Sequence, residues 1–231
     1  MKLAIMQPYF FPYIGYWQLI NAVDSFVIYD DVNFIKGGWV NRNRILVNKQ
    51  EHMLTLEIKK SSPNKLINQL EISSSRARLV KTISMSYKQA PHFSTSMPLI
   101  EEIMSSQASN LALFLEQAIR KLCYYMGIQT TILVSSHIEK NNELRAQEKI
   151  LNICKKLKAD LYINAIGGQE LYDSSAFKVQ GIDLAFIQPL PLEYKQFSNA
   201  FLPWLSIIDV IMFNSLGAIQ YKLAQYKLVN P

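Results

Sequence analysis

The groups able to do chemistry concentrate early in this chain of 231 residues. Asp30 and Asp31 form a carboxylate pair, and the stretch Lys36 to Arg44 carries Lys36, Trp39, Asn41, Arg42, Asn43 and Arg44. Trp presents a π-face, Arg a planar fork for two oxygens, and Asn its amide groups, a set that suits a base plus phosphates. The same residues also suit a loop in which Trp39 fills a core gap and the arginines are solvated. Arg42 is the cation best placed by sequence to meet a phosphate. Ser135 and Ser136 offer two hydroxyls that bind a phosphate or cap the next element; with no adjacent base, neither reads as a nucleophile. Asp209 is the one carboxylate in an apolar run, so it is either satisfied by backbone amides or an Arg, or faces a pocket. His92 follows a helix stop, where it caps the helix end or reaches a ligand. Cys123 and Cys154 sit in apolar helical stretches without a neighbouring histidine and read as reduced core residues. The histidines show no metal-ligand spacing, so no metal site is indicated.

These groups need elements to position them. Lys2 to Met6 reads as a buried strand, and Pro8 and Pro12 stop any helix through the aromatic turn that follows, which holds Gln7, Tyr9 and Tyr13. Gly15 allows a positive φ or a close approach by another group; Tyr16 to Ala22 then reads as helix and Phe26 to Tyr29 as a second strand. Asp30 and Asp31 fall at that strand's C-terminal end, the rim where open parallel sheets bind ligands. Ile45 to Asn48 and Met53 to Ile58 predict a hairpin turning at Lys49 to Glu51. Helices follow at Arg76 to Gln89, in two pieces over Pro98 to Met126, and at Asn142 to Lys156. Thr130 to Val134, Leu161 to Asn164 and Leu184 to Ile187 read as strands. A turn with Gly167 and Gly168 leads to Tyr172, placed to shape a substrate pocket. Phe201 to Leu216 reads as one apolar helix and Ala218 to Leu228 as a basic one. The alternation predicts a single α/β domain over 1–231, with a mostly parallel, Rossmann-like sheet and a β-hairpin insertion at about 32–75.

A hydrophobic fraction of 49% with 18% charged residues fits a globular protein rather than a disordered one. No apolar run approaches the roughly 20 residues that span a bilayer, so no membrane insertion is expected. Met1 leads directly into the first strand without a signal-peptide pattern, which predicts cytoplasmic residence. The net charge of +6 favours anionic partners, but the excess is diffuse and no nucleic-acid motif accompanies it.

The runs QPYFFPYIGYW, YDDVNF and GWVNRNRI resemble the corresponding blocks of the WbqC-like family. So do YKQAPHF, the Ser135–Ser136 pair, ICKKLKADLYINAIGGQELYD and FLPWLSIIDVIMFN, so the likeness spans nearly the whole chain. It implies a bacterial protein of surface-polysaccharide assembly. One departure is local: where the family pattern has a Trp and a Lys-His pair, Ser75, Arg78 and Leu79 stand nearby. More distantly, a strand followed by Phe-Pro-x-x-Gly-x is similar to the phosphate-binding turn of nucleotidylyltransferases. Those enzymes have His-x-Gly-His, and this chain has Tyr13, Ile14, Gly15 and Tyr16. Imidazoles can carry charge against a pyrophosphate; phenols stay neutral near pH 7.

The expected function is transfer of an acyl or aminoacyl group to a nucleotide-linked amino sugar. The turn, with Gln7, Pro8, Tyr9, Tyr13, Gly15 and Tyr16, and Arg42 would hold diphosphate and base. Asp30 or Asp31 would meet a hydroxyl, and His92 or Asp209 would serve as base. The donor is open between an acyl thioester such as a coenzyme A ester, an adenylate and an aminoacyl-tRNA. The alternatives are a nucleotidyl- or adenylate-forming enzyme and a noncatalytic nucleotide-sugar-binding or assembly protein.

Overall fold

The computed structural model describes residues 1–60, 62–73, 76–197 and 200–231. Its centre is a sheet of six strands: β1 (Lys2–Met6), β2 (Ser25–Ile28), β7 (Thr131–Val134), β8 (Leu161–Ala165), β9 (Asp183–Pro189) and β10 (Tyr226–Val229). They lie in the order β10-β9-β8-β1-β2-β7, all parallel except the antiparallel edge strand β10. Successive strands build outward from β1 through β2 to β7; the chain then returns to the other side of β1 and builds β8, β9 and β10. The direction of winding therefore reverses between β1 and β8, and a crevice opens outside the strand C-termini at such a reversal.

Alternation along each strand feeds two cores. Ala4, Phe26, Ile28 and Ile163 face a large cluster, while Leu3, Ile5, Val27 and Tyr162 face a smaller one. The large cluster is completed by α1 (Ile14–Asn21), α4 (Leu111–Met126), α7 (Ile207–Phe213) and α8 (Leu216–Leu223). The smaller one is covered by α5 (Ala146–Lys156) and α6 (Ser174–Val179). Helix ends follow ordinary capping chemistry: Asn110 accepts from the Leu113 amide before α4, and Gly127 closes it at φ +76°.

The region after β2 forms a separate hairpin, β3 (Arg42–Val47) with β4 (Gln50–Thr55), and a short antiparallel pair, β5 (Ile58–Lys59) with β6 (Glu71–Ile72). Ile45, Leu46, Leu54 and Ile67 bury into the large cluster, so this region packs against the same face of the sheet as α1. Ser61, Ser74 and Ser75 of the expected insertion lie outside the described residues. The helices α2 (Arg76–Tyr87) and α3 (Phe93–Met104) follow.

Three sequence expectations change. The hairpin turns at Asn48 and Lys49, both with positive φ, and β3 starts at Arg42, which pairs with Thr55, rather than at Ile45. The apolar run from Phe201 is not one helix: the chain reaches Ser206 without helix, and Ser206 Oγ then accepts from the Ile208 amide as the N-cap of α7. The tail is not one helix either. α8 stops at Leu223, Gln18 Nε2 donates to the carbonyls of Lys222 and Gln225 at 2.8 and 2.9 Å, and Tyr226 to Val229 join the sheet edge.

Candidate ligand-binding cleft and groove

The aromatic turn after β1 is pinned from three sides. Asn43, buried on β3, donates to the carbonyls of Phe10 and Phe11 at 3.2 and 2.9 Å. The Trp17 indole donates to Pro12 O at 3.0 Å, and the Phe10 amide to Trp39 O at 3.1 Å. With Phe10 and Phe11 turned into the core, Tyr9 and Tyr13 are left at the surface of the turn. They border a cleft of about 220 Å³ completed by Trp39, Asn43, Arg44 and Trp204. Gly15 serves here through close approach: a Cβ on it would lie 2.4 Å from the Tyr13 ring.

Arg44 is the cation of this cleft. Its guanidinium sits 5.3 Å from the Trp39 ring centroid, Nη1 meets Glu51 at 3.1 Å and Nη2 meets Trp204 O at 3.4 Å. Its Nε is buried and makes no hydrogen bond among the described residues. Trp204, at φ +62° and 55% exposed, packs edge-on to Tyr13 with centroids 5.8 Å apart.

Trp204 also walls a second, larger groove of about 560 Å³. Ile166 beyond β8 and Gln188 and Pro189 at the end of β9 border it, which sets it at the C-terminal rim of the sheet; Ile14 of α1 borders it too. Tyr13 and Ile14, consecutive at the start of α1, thus border the cleft and the groove respectively. Tyr194 lines the groove, with Lys222 Nζ 5.4 Å from its ring centroid. Burial lowers the Lys222 pKa. Behind Tyr194 lies Asp209, fully buried, which accepts from Tyr194 at 2.7 Å, Gln196 at 2.8 Å and Tyr87 at 2.9 Å. Burial raises the Asp209 pKa against the opposing pull of these three donors.

The remaining candidates are spread over other places. Tyr16 is buried, and its hydroxyl is committed to Gln7 O at 3.0 Å; Pro8 is buried as well. Arg42 folds back onto the carbonyls of Gly37 and Gly38, Asn41 donates to Leu56 O at 2.8 Å, and Lys36 is exposed. His92 precedes α3 with its amide on Met212 O, and it borders neither the cleft nor the groove. Gly168 sits tight against Asn164, where a Cβ would lie 3.2 Å from Oδ1, whereas Gly167 stands in open space. Asn164 in turn donates to the Tyr172 hydroxyl at 2.9 Å.

Asp30, Asp31, Ser135 and Ser136 do meet, at the C-terminal ends of β2 and β7. Asp30 accepts from the Ser136 amide at 2.9 Å, the Ser136 hydroxyl at 2.6 Å and Asn68 at 3.2 Å. Asp31 holds two lysines, Lys140 at 2.9 Å and Lys149 at 3.1 Å, with side chains only 1% and 9% exposed. Burial pushes the Asp31 carboxyl up, but Ser135 and the two lysines outweigh it and leave its pKa below the ordinary value. Ser135 Oγ and Asp31 Oδ1 nonetheless complete no hydrogen bond. Cys123 and Cys154 are buried free thiols, pushed by burial up to about 12. Among the described residues no three of His, Cys, Asp and Glu converge to hold a metal ion.

Sequence reading passed over Trp204, Tyr194 and Lys222. Pro203 and Ser206 were the available signal, since Pro inside an apolar run followed by an N-cap residue marks a helix that starts later.

An α/β protein with a mostly parallel sheet and paired hollows at its strand C-termini is the class that this geometry defines. The profile of the WbqC-like protein family matches residues 7–221, and the chain belongs to that family. It is similar to "Uncharacterized protein Rv1507c" of Mycobacterium tuberculosis (strain ATCC 25618 / H37Rv), at 29% identity over 218 residues, covering 92% of this chain and 93% of that protein. No solved structure matches it significantly. No helix among the described residues is long and apolar enough to cross a membrane.

Proposed function

We propose that the protein is a transferase of bacterial surface-glycan precursor assembly, acting on a nucleotide-linked amino sugar. The base stacks in the cleft between Trp39 and Trp204, and the sugar extends past Trp204 toward the groove. The observation that carries this reading is the Arg44 guanidinium, a partly exposed cation in the cleft lining set beside the Trp39 face. A phosphate oxygen is the acceptor a guanidinium fits best. A diphosphate between cleft and groove lies at the start of α1, where the helix dipole favours an anion. Of the two groups weighed as base, Asp209 reaches a cavity wall, through Tyr194, whereas His92 borders neither the cleft nor the groove. Tyr16, buried and bonded to Gln7 O, does not line the cleft, so of the two tyrosines of the Tyr-x-Gly-Tyr turn the nucleotidyl-transfer alternative has only Tyr13 there.

The test is titration with uridine and thymidine diphosphate sugars, read by tryptophan fluorescence. Trp39 and Trp204 border the cleft, and Trp17 is buried. Saturable quenching, lost in Arg44→Ala, is expected. Incubation with an amino-sugar nucleotide and an acyl thioester should then give a product heavier by the acyl group. Quenching without product under any donor favours a binding protein. Absence of quenching removes the reading.

A further inference from the structure

Two hollows meeting at one tryptophan need not take parts of the same molecule. Their linings differ in kind. The cleft is aromatic with Arg44 and Asn43, whereas the groove is walled by Ile14, Leu192, Phe201, Leu205 and Val210 among others. Its polar side chains are Gln188, Glu193, Tyr194 and Lys222. The Tyr194 hydroxyl is already given to Asp209. A sugar ring laid on the apolar wall would leave the hydroxyls on that side without partners, which is costly. A hydrocarbon chain loses nothing there and gains by leaving water. At about 560 Å³ the groove falls within the range of small-molecule sites.

The cation in the lining, Lys222, makes, among the described residues, only a long contact from Nζ to Glu193 O at 3.4 Å and faces the Tyr194 ring. Its ammonium is therefore free to meet an oxygen that carries or develops negative charge. An apolar wall with one such cation matches an acyl chain ending in a carbonyl or carboxylate.

We infer that the groove is an acyl-chain site, in which Lys222 binds the head-group oxygen and the apolar wall takes the hydrocarbon. This rests on the proposed function only for the acceptor: the donor of that reaction is then an aliphatic acyl thioester rather than an aminoacyl group. Attack by the sugar amine on the thioester carbonyl forms the amide bond, breaks the carbon–sulfur bond and releases the thiol. The proton leaving the amine ends on the thiolate or on solvent. Lys222 stabilises the carbonyl oxygen as it becomes negative.

The test uses the whole chain and sodium salts of hexanoic, octanoic and decanoic acids, with calorimetry as readout. Affinity should rise about tenfold for each two methylenes until the groove is filled. Lys222→Met, which keeps length and apolarity, should weaken octanoate at least tenfold and leave octanol unchanged. Arg44→Ala should leave octanoate binding intact. Binding independent of chain length, equal binding of octanoate by Lys222→Met, or a preference for free glucosamine would overturn the inference. The two readings fail separately. Octanoate binding without nucleotide-sugar quenching removes the nucleotide assignment and keeps the acyl site, and the reverse result does the opposite.

Discussion

The Tyr194 hydroxyl donates to Asp209 Oδ2 at 2.7 Å, joining a side chain that lines the groove to a carboxylate with no solvent exposure. Tyr87 and Gln196 hold the same carboxylate, and Tyr87 also accepts from the Leu46 amide, which links α7 to the hairpin. Asp209→Ala strands three donors and should cost about 3 kcal/mol or more, while Tyr194→Phe removes one bond and should cost about 1–2 kcal/mol. The pH dependence has a definite sign. The folded-state pKa is raised from 3.8, so the carboxyl's contribution is full below that value and declines as pH rises through the folded pKa. The wild-type advantage over Asp209→Asn in urea melts should therefore shrink as pH climbs above the ordinary Asp range.

Asp31 has the opposite sign. Its folded pKa lies below 3.8, so its contribution is present above the unfolded value and disappears as pH falls through the folded one. Asp31→Asn leaves Lys140 and Lys149 close together and sheltered from water, and should cost about 3–5 kcal/mol at neutral pH. In acid the mutant and wild-type melts should converge.

Arg44 and Arg42 make a discriminating pair, two positions apart on β3. Arg44→Ala should weaken nucleotide-sugar binding tenfold or more, and Arg44→Lys should recover only part of it, because the ammonium lacks the planar fork. Arg42→Ala should leave affinity nearly unchanged and cost about 1 kcal/mol of stability through the lost contacts to Gly37 and Gly38. Equal losses of affinity in both variants would place the phosphate elsewhere.

Gly15→Ala tests the turn itself. The added methyl must displace the Tyr13 ring that lines the cleft. A stability loss of about 1–3 kcal/mol is expected. Nucleotide affinity should also fall, whereas Tyr13→Ala in the same background should restore most of the stability.

Much of the sheet was legible because β1, β2, β7 and β8 are short apolar runs between turn residues, with Asp30 and Ser135 at their C-terminal ends. The edge was not. Lys222 to Leu228 alternates about as well at one period as at the other, and the bonds from Gln18 to two carbonyls accompany a turn and a strand paired with β9. The lining of the candidate cleft was half legible. Tyr9, Tyr13, Trp39 and Asn43 stood out by type, but the choice between Arg42 and Arg44 depends on where β3 starts, and side chains of one face recur every second residue. Trp204 stayed hidden inside what reads as a helical core run, because its exposure depends on a non-glycine positive φ that composition does not announce.

The position of β1 between β2 and β8 also sets a kinetic order. Lys2 pairs with Leu161, so β1 waits for most of the chain before its second edge is covered, while β2 is available after a single short helix. Loop-closure entropy makes such non-local parallel pairing slow to form. During synthesis the half built on β1, β2 and β7 carries an apolar strand edge open to other chains, the state in which aggregation competes with folding. The reversal between β1 and β8 that opens the crevice is thus completed late. Refolding should show native-like helix content before the cleft binds any nucleotide.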